Sequence, residues 1–183
     1  MYKRQHKYFG FTNFYTSVST ACSSGIKAFS IAKELLEKEI AQTVLVIGVD
    51  SIAKLPVYGF DSLEILSGEP ANPFSKNRCG INIGEGAAAF IVSKEGEGIE
   101  ITGIGETTDY YHSTTPDPEG IEAEKAIRLA LGEMKPEDID YINLHGTGTQ
   151  ANDLMEARAV YNIFGAKAVS YTHLRAHETL ANL

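Results

Sequence analysis

The chain has 183 residues, 43% of them hydrophobic and 22% charged, with a formal net charge of −8. That balance suits one soluble globular domain or part of a larger one. The acidic charge, with no Lys/Arg run longer than two, argues against nucleic acid as the main partner.

No apolar run reaches the roughly 18 residues that a membrane span needs, so no membrane association is expected. Met1-Tyr2-Lys3-Arg4-Gln5 has no apolar stretch behind it, so no signal peptide is visible. Two cysteines, Cys22 and Cys79, are too few for a disulfide scaffold and point to a reducing, cytoplasmic setting.

In chain order, Tyr15 to Thr20 is β-branched and polar and suits a short strand. Ser23 and Ser24 offer N-cap hydroxyls, and Ala28, Phe29, Ala32, Leu35 and Leu36 form the apolar stripe of a helix, with Glu34 and Lys38 paired on its wet side. Thr43 to Val49 is a continuous apolar run, as expected for a strand buried on both faces. Residues 54–84 are rich in Pro, Gly, Asn and Ser and read as loops around a helical turn near Leu63 to Leu66.

Ala87 to Val92 reads as a second buried strand and Ile99 to Gly105 as a third. Pro118 marks a helix start, with a stripe at Ile121, Ile127, Ala130, Leu131 and Met134. Tyr141 to Leu144 reads as a strand ending at His145. Asn152 can cap a last helix whose stripe is Leu154, Ala157, Tyr161 and Phe164. The alternation of strands and helices predicts α/β architecture, without repeats or low-complexity segments.

Two short strings can carry chemistry. In Thr20-Ala21-Cys22-Ser23-Ser24-Gly25 a cysteine stands where a strand gives way to a helix. Free N–H groups and the helix dipole favour an anionic sulfur there. A cysteine in that position also packs as a small core hydrophobe, and position alone leaves both readings open. Cys79, in an irregular Arg-Cys-Gly stretch, reads as structural.

In His145-Gly146-Thr147-Gly148-Thr149 a histidine ends a strand, where ligands meet α/β sheets. The glycines permit close approach and the threonines supply hydroxyls. A satisfied histidine beside a plain turn fits equally well. The run lacks the third glycine of a dinucleotide fingerprint and the lysine of a phosphate loop.

If Cys22 and His145 meet in the fold, the pair implies covalent catalysis through a thioester. Asp153 and Glu156 open a helix, where acidic residues serve capping and the dipole. Asp109 and His112 read locally as loop residues, and no metal-ligand motif pair is present.

Together the strings resemble the β-ketoacyl synthase family of the thiolase superfamily. They are Val18-Ser19-Thr20-Ala21-Cys22-Ser23-Ser24-Gly25, Gly59-Phe60-Asp61-Ser62-Leu63, Pro73-Phe74 with Arg78, Gly84-Glu85-Gly86-Ala87, and Ile142 to Thr149 followed by Asn152-Asp153 and Glu156-Ala157. The resemblance implies part of a thiolase-like α/β/α/β/α layered fold with mixed sheets. Residues 6–95 would supply the later part of its N-terminal half and 96–168 the first part of its C-terminal half. The chain resembles the freestanding, elongating bacterial type more closely than the modular polyketide type.

It also implies a chemistry: 3-oxoacyl-acyl-carrier-protein synthase activity, a decarboxylative condensation in fatty-acid biosynthesis. By motif, Cys22 accepts the acyl chain as a thioester. His145 is the first of two histidines that stabilise the enolate. Thr147 and Thr149 hydrogen-bond the phosphopantetheine arm of the carrier protein, and Phe60 lines the acyl pocket. Asp109 and Glu156 belong to a supporting network. No bound cofactor or metal is implied. The implied partners are acyl carrier protein and, in a full-length parent, a second copy. A polyketide-type ketosynthase or other acyltransferase of the superfamily is an alternative. A non-catalytic carrier-binding partner is an alternative of another class.

The pattern breaks after Val169-Ser170. The family continues with a lysine and a Gly-His, whereas His173 and Glu178 stand at those places and His177 is out of register. A chain lacking the second histidine is expected not to condense, and sheet edges left unpaired invite aggregation.

Residues 1–5 and 169–183 read as non-native tails derived from one adapter. Tyr2-Lys3-Arg4-Gln5 can be encoded by TATAAGAGACAG, and the opposite strand, CTGTCTCTTATA, read from its third base gives Val-Ser-Tyr and the start of Thr, as at Val169 to Thr172. Resequencing the locus from unfragmented DNA is expected to remove both tails; an intact reading frame that keeps them overturns this reading.

Overall fold

The computed structural model of the chain describes residues 7, 8, 10, 11 and 13–165. The expectations for 1–5 and for His173, His177 and Glu178 lie outside the described residues. The described residues form two compact units, one drawn from 1–49 and 87–98, the other from 50–86 and 99–165. Among the described residues, no helix is long and apolar enough to cross a membrane.

In the first unit a 3-10 turn, Ala21–Ser23, leads into α1, Ser24–Glu37. The apolar stripe read from the sequence is its inner face: Ala32 and Leu36 are buried, and Ala28, Phe29 and Leu35 half-buried. The Glu34–Lys38 ion pair forms at 3.6 Å. Ser23 and Ser24 do not cap the helix as expected, because their hydroxyls turn back to bond Thr20 and Ala21. α1 ends with Glu39 in the left-handed region at φ +58°.

Strands β1, Thr43–Asp50, and β2, Gly86–Ser93, pair as a two-stranded sheet. Phe29 meets Phe90 edge-on at 5.3 Å. The expected burial of both strands on both faces is not found. Val46 is buried, but Ile47, Val49, Phe90 and Ile91 are exposed. A sheet hides both faces only between two layers, and the described residues of this unit do not supply them.

In the second unit the loop-rich reading of 54–84 missed a helix, α2, Lys54–Ser62. Its short length and a proline in its first turn hid it from a periodicity argument. The turn expected near Leu63 to Leu66 is found at Leu63 and Glu64, as the end of α2, and Leu66 beyond it bridges in parallel to Ile81. Helix α3 spans Ile121–Leu131, starting later than Pro118 and ending before Met134. A second 3-10 turn, Pro136–Asp138, precedes the last segment. Helix α4 spans Gln150–Phe164, with Thr149 rather than Asn152 at its N-cap.

The predicted stripe of α4 is not its inner face. Leu154 and Tyr161 are exposed, while Asp153, Ala159 and Val160 are buried. α3 and α4 pack against each other. Arg158 Nη1 donates to the Pro118 carbonyl at 2.8 Å and pairs with Glu119. Asn162 and Arg128 both donate to the Glu124 carboxylate. These hydrogen bonds, Asn162's first and Arg128's second, hold that carboxyl below its usual range.

Tyr15 to Thr20, Ile99 to Gly105 and Tyr141 to Leu144 were expected as strands, yet they form no strand. A strand is defined by its ladder, and these segments find no strand partner among the described residues. The third sits directly before the loop that begins at His145. The second instead lies directly on α3. A Cβ on Gly103 would stand 1.9 Å from the Ala130 carbonyl oxygen, and one on Gly105 1.9 Å from that of Ala126. Backbone cannot yield as a side-chain tip can. Gly105→Ala is therefore expected to destabilise this unit by about 1–3 kcal/mol, through overpacking. A urea midpoint equal to that of the parent chain would show that the segment is not held there.

Candidate active site

Cys22 is exposed and occupies the middle of the 3-10 turn before α1. Two serines tie this turn. Ser23 Oγ donates to the Thr20 carbonyl at 2.8 Å, and Ser24 Oγ to the Ala21 carbonyl at 2.6 Å, while the Thr20 N–H donates to Ser24 Oγ at 2.8 Å. Ala21 is held at φ +52°, a left-handed conformation that costs a residue with a Cβ roughly 1–2 kcal/mol. Such strain persists only where the surroundings over-determine it, and it clusters at functional sites. Here its effect is local: the chain reverses sharply and leaves the thiol at the surface of the turn.

The second unit gathers His145, Thr147, Thr149 and Glu156. Gly146 and Gly148 take φ +52° and +72°, so the loop curls over the start of α4. Glu156, from the second turn of α4, receives the N–H of His145 on Oε1 and that of Gly146 on Oε2, at 2.5 and 2.8 Å. Asn152 Nδ2 donates to the same carboxylate at 3.2 Å. One side chain thus fixes the backbone on both sides of the His145 Cα. The imidazole is in an exposed residue. The Thr147 and Thr149 hydroxyls share a hydrogen bond at 2.8 Å.

Asp153 was read from the sequence as a dipole residue, and its larger part was missed. It is 2% exposed. Its Oδ1 accepts the Gly148 N–H at 3.1 Å and its Oδ2 the Phe74 N–H at 2.7 Å, 79 positions away in sequence. Arg78 Nε stands 3.7 Å from Oδ2, and Arg78 Nη1 donates to the Ser75 carbonyl at 2.8 Å.

The loops also meet directly. Gly80 N–H donates to the Gly148 carbonyl at 3.0 Å, and a Cβ on Gly148 would lie 2.5 Å from the Gly80 oxygen. Phe74 is itself left-handed, at φ +61°. Pro73-Phe74, Arg78, Asn152-Asp153 and Glu156, separate strings in the sequence, therefore form one polar clamp around the histidine loop.

The other two predicted residues are Asp109 and Phe60. Asp109 accepts the N–H of Tyr111 at 2.9 Å and of Asp117 at 2.8 Å, which folds its own exposed loop. Phe60 is half-buried in the second turn of α2. Among the described residues, no group of three His, Cys, Asp or Glu gathers to hold a metal ion.

Residues 6–97 match the family model described as beta-ketoacyl synthase, N-terminal domain, and residues 99–177 its C-terminal domain. The chain belongs to the β-ketoacyl synthase family. Its fold is accordingly a partial thiolase-like α/β fold, and the family is one of condensing acyltransferases.

The match to nodulation protein E of Rhizobium leguminosarum bv. trifolii is 34% identical over 82% of this chain and 40% of that protein. With 3-oxoacyl-acyl-carrier-protein synthase 2 of Staphylococcus aureus it is 32% identical over 87% of this chain and 43% of the relative. The ketosynthase ApeO, solved in complex with its chain length factor ApeC from Xenorhabdus doucetiae, superposes with a TM-score of 0.86. It is 39% identical over 90% of this chain and 42% of that one. The chain thus spans about two fifths of the length of the curated relatives it matches.

Proposed function

We propose that the protein to which this chain belongs is a 3-oxoacyl-acyl-carrier-protein synthase that condenses an acyl thioester with malonyl-carrier protein. The observation that carries the reading is the exposed Cys22 thiol on its strained turn at the head of α1. The sulfur attacks the acyl thioester of a carrier protein. A C–S bond forms to Cys22, and the carrier's phosphopantetheine thiol leaves. Malonyl-carrier protein then loses carbon dioxide, and the electron pair of the broken C–C bond passes into a thioester enolate. The enolate carbon attacks the Cys22 thioester, and the cysteine sulfur departs as the new C–C bond forms.

In this reading, His145 donates to the enolate oxygen, where a fixed donor stabilises the charge as it develops. Glu156 positions that loop through its backbone. The Thr147 and Thr149 hydroxyls exchange their mutual hydrogen bond for bonds to the phosphopantetheine arm. Phe60 lines the acyl pocket, and Asp109 shapes an adjoining loop. No bound cofactor is needed, because the thioester supplies the activation. The carrier protein is the partner, a second copy completes the full-length enzyme, and the setting is cytoplasmic. Resemblance to the Staphylococcus aureus synthase supports a fatty-acid role.

A second reading, a polyketide-type ketosynthase that pairs with a chain length factor, is favoured by the 39% identity and TM-score of 0.86 with ApeO. The two separate on the native gene with its flanking sequence. Condensation by a homodimer supports the fatty-acid role, and activity only with a second, non-identical chain supports the polyketide role. Product from neither arrangement overturns the proposal.

A further inference from the structure

Helix α2 begins without the devices that usually fix a helix start. Its N-cap, Ala53, makes no side-chain cap, and no acidic residue lies in its first turn. Its first residue is Lys54, a cation at the end where the dipole favours anions. The backbone just before the N-cap is held from 33 positions away: Glu85 Oε1 accepts the Ile52 N–H at 2.8 Å. Ile52 directly precedes the N-cap, and Glu85 directly precedes β2. One carboxylate therefore holds the backbone at the entry of α2 and brings negative charge to the uncapped end.

We propose that Glu85 is a positioning residue that sets the placement of α2 and, through Phe60, which acyl chain lengths the site accepts. The second clause rests on the condensing-enzyme reading above, in which Phe60 lines the acyl pocket. Glu85 touches no reacting atom. It acts on a helix whose second turn carries Phe60, so a shift at the helix start is transmitted along its hydrogen-bonded length to the ring.

Two measurements on the whole chain test this, with Glu85→Ala, Glu85→Gln and Phe60→Ala. The first is hydrogen exchange of the 50–62 peptide, which needs no activity. Glu85→Ala is expected to exchange about 5-fold faster at Ile52, the amide that Glu85 holds, and at Val57, the first amide bonded within α2, the scale of one lost hydrogen bond. Glu85→Gln keeps an acceptor oxygen and is expected to match the parent chain. Unchanged exchange in Glu85→Ala overturns the contact.

The second is uptake of short and long acyl groups by Cys22 from acyl-pantetheine thioesters, read by intact mass. The long-to-short ratio is expected to change roughly 5-fold in Glu85→Ala, in the same direction as in Phe60→Ala and with no further change in the double variant. Equal slowing with both donors indicates a merely structural residue and overturns the specificity role. No uptake by the parent chain from any donor overturns the condensing-enzyme reading and this role with it, while the exchange data still decide whether Glu85 fixes α2.

Discussion

Cys22→Ala is expected to abolish acyl loading of the chain, by at least about 10³-fold, the scale on which removing a covalent nucleophile acts. The expectation follows from geometry as well as motif. Cys22 is exposed at the centre of a turn that two serine hydroxyls hold in place, and its neighbour Ala21 carries the strain of the reversal. Cys79 is the built-in control. It is also exposed, but its sulfur lies 2.9 Å from Ser67 Oγ in a different loop.

The measurement is intact mass after incubation with an acyl-carrier-protein donor, followed by peptide mapping. A single acyl group on the peptide containing Cys22 is expected for the parent chain and for Cys79→Ala, and none for Cys22→Ala. Cys22→Ser keeps the turn and shows whether the sulfur, rather than the local fold, is required. Acyl groups found on Cys79, or retained in Cys22→Ala, contradict the assignment. Iodoacetamide labelling of the same variants reports the accessibility of each thiol without a carrier protein.

How much of this was legible in sequence depends on the range of the forces involved. α1 was read correctly, because a stripe such as Ala28, Phe29, Ala32, Leu35 and Leu36 is a local pattern with a fixed period. The strands were read well only where they pair. Thr43–Asp50 and Gly86–Ser93 found each other, whereas Tyr15 to Thr20 and Tyr141 to Leu144, of similar strand character, form no ladder among the described residues. Propensity for a strand is a statement about fitting a neighbour, and no sequence window contains the neighbour. Burial failed for the same reason: the apolar runs of β1 and β2 anticipate layers on both faces, and Ile47, Val49 and Ile91 remain exposed without them.

In the candidate site, the loop and Glu156 were legible because a short motif joins them. Asp153 was not, because its informative partner, Phe74, is 79 positions distant. The available hint was an arrangement of strings. Pro73-Phe74 with Arg78 and Asn152-Asp153 both belonged to the resemblance, but neither had a separate role in it.

Asp153 carries the largest stability effect expected of a single side chain here. The side chains of Asp153 and Arg78 are 1% and 14% exposed, so solvent does little to screen the charge pair. Asp153→Ala removes the acceptor of two backbone N–H groups, those of Phe74 and Gly148, and strands a mostly buried guanidinium. Each orphaned donor costs roughly 1–3 kcal/mol, and breaking a buried pair by deleting one partner costs about 3–5 kcal/mol in all.

The two contributions separate in a double variant. Arg78→Met with Asp153→Ala removes the stranded charge and is expected to recover about 1–2 kcal/mol, leaving the amide part of the loss. Asp153→Asn keeps one acceptor oxygen but turns an N–H₂ donor toward the other amide, so an intermediate loss is expected. Urea unfolding by circular dichroism gives the totals. Hydrogen exchange of the 72–80 and 146–149 peptides shows where the opening occurs, and both segments are expected to lose protection together. Were the double variant as stable as the parent chain, the charge alone would account for the loss, and the clamp on the histidine loop would not depend on those two amides.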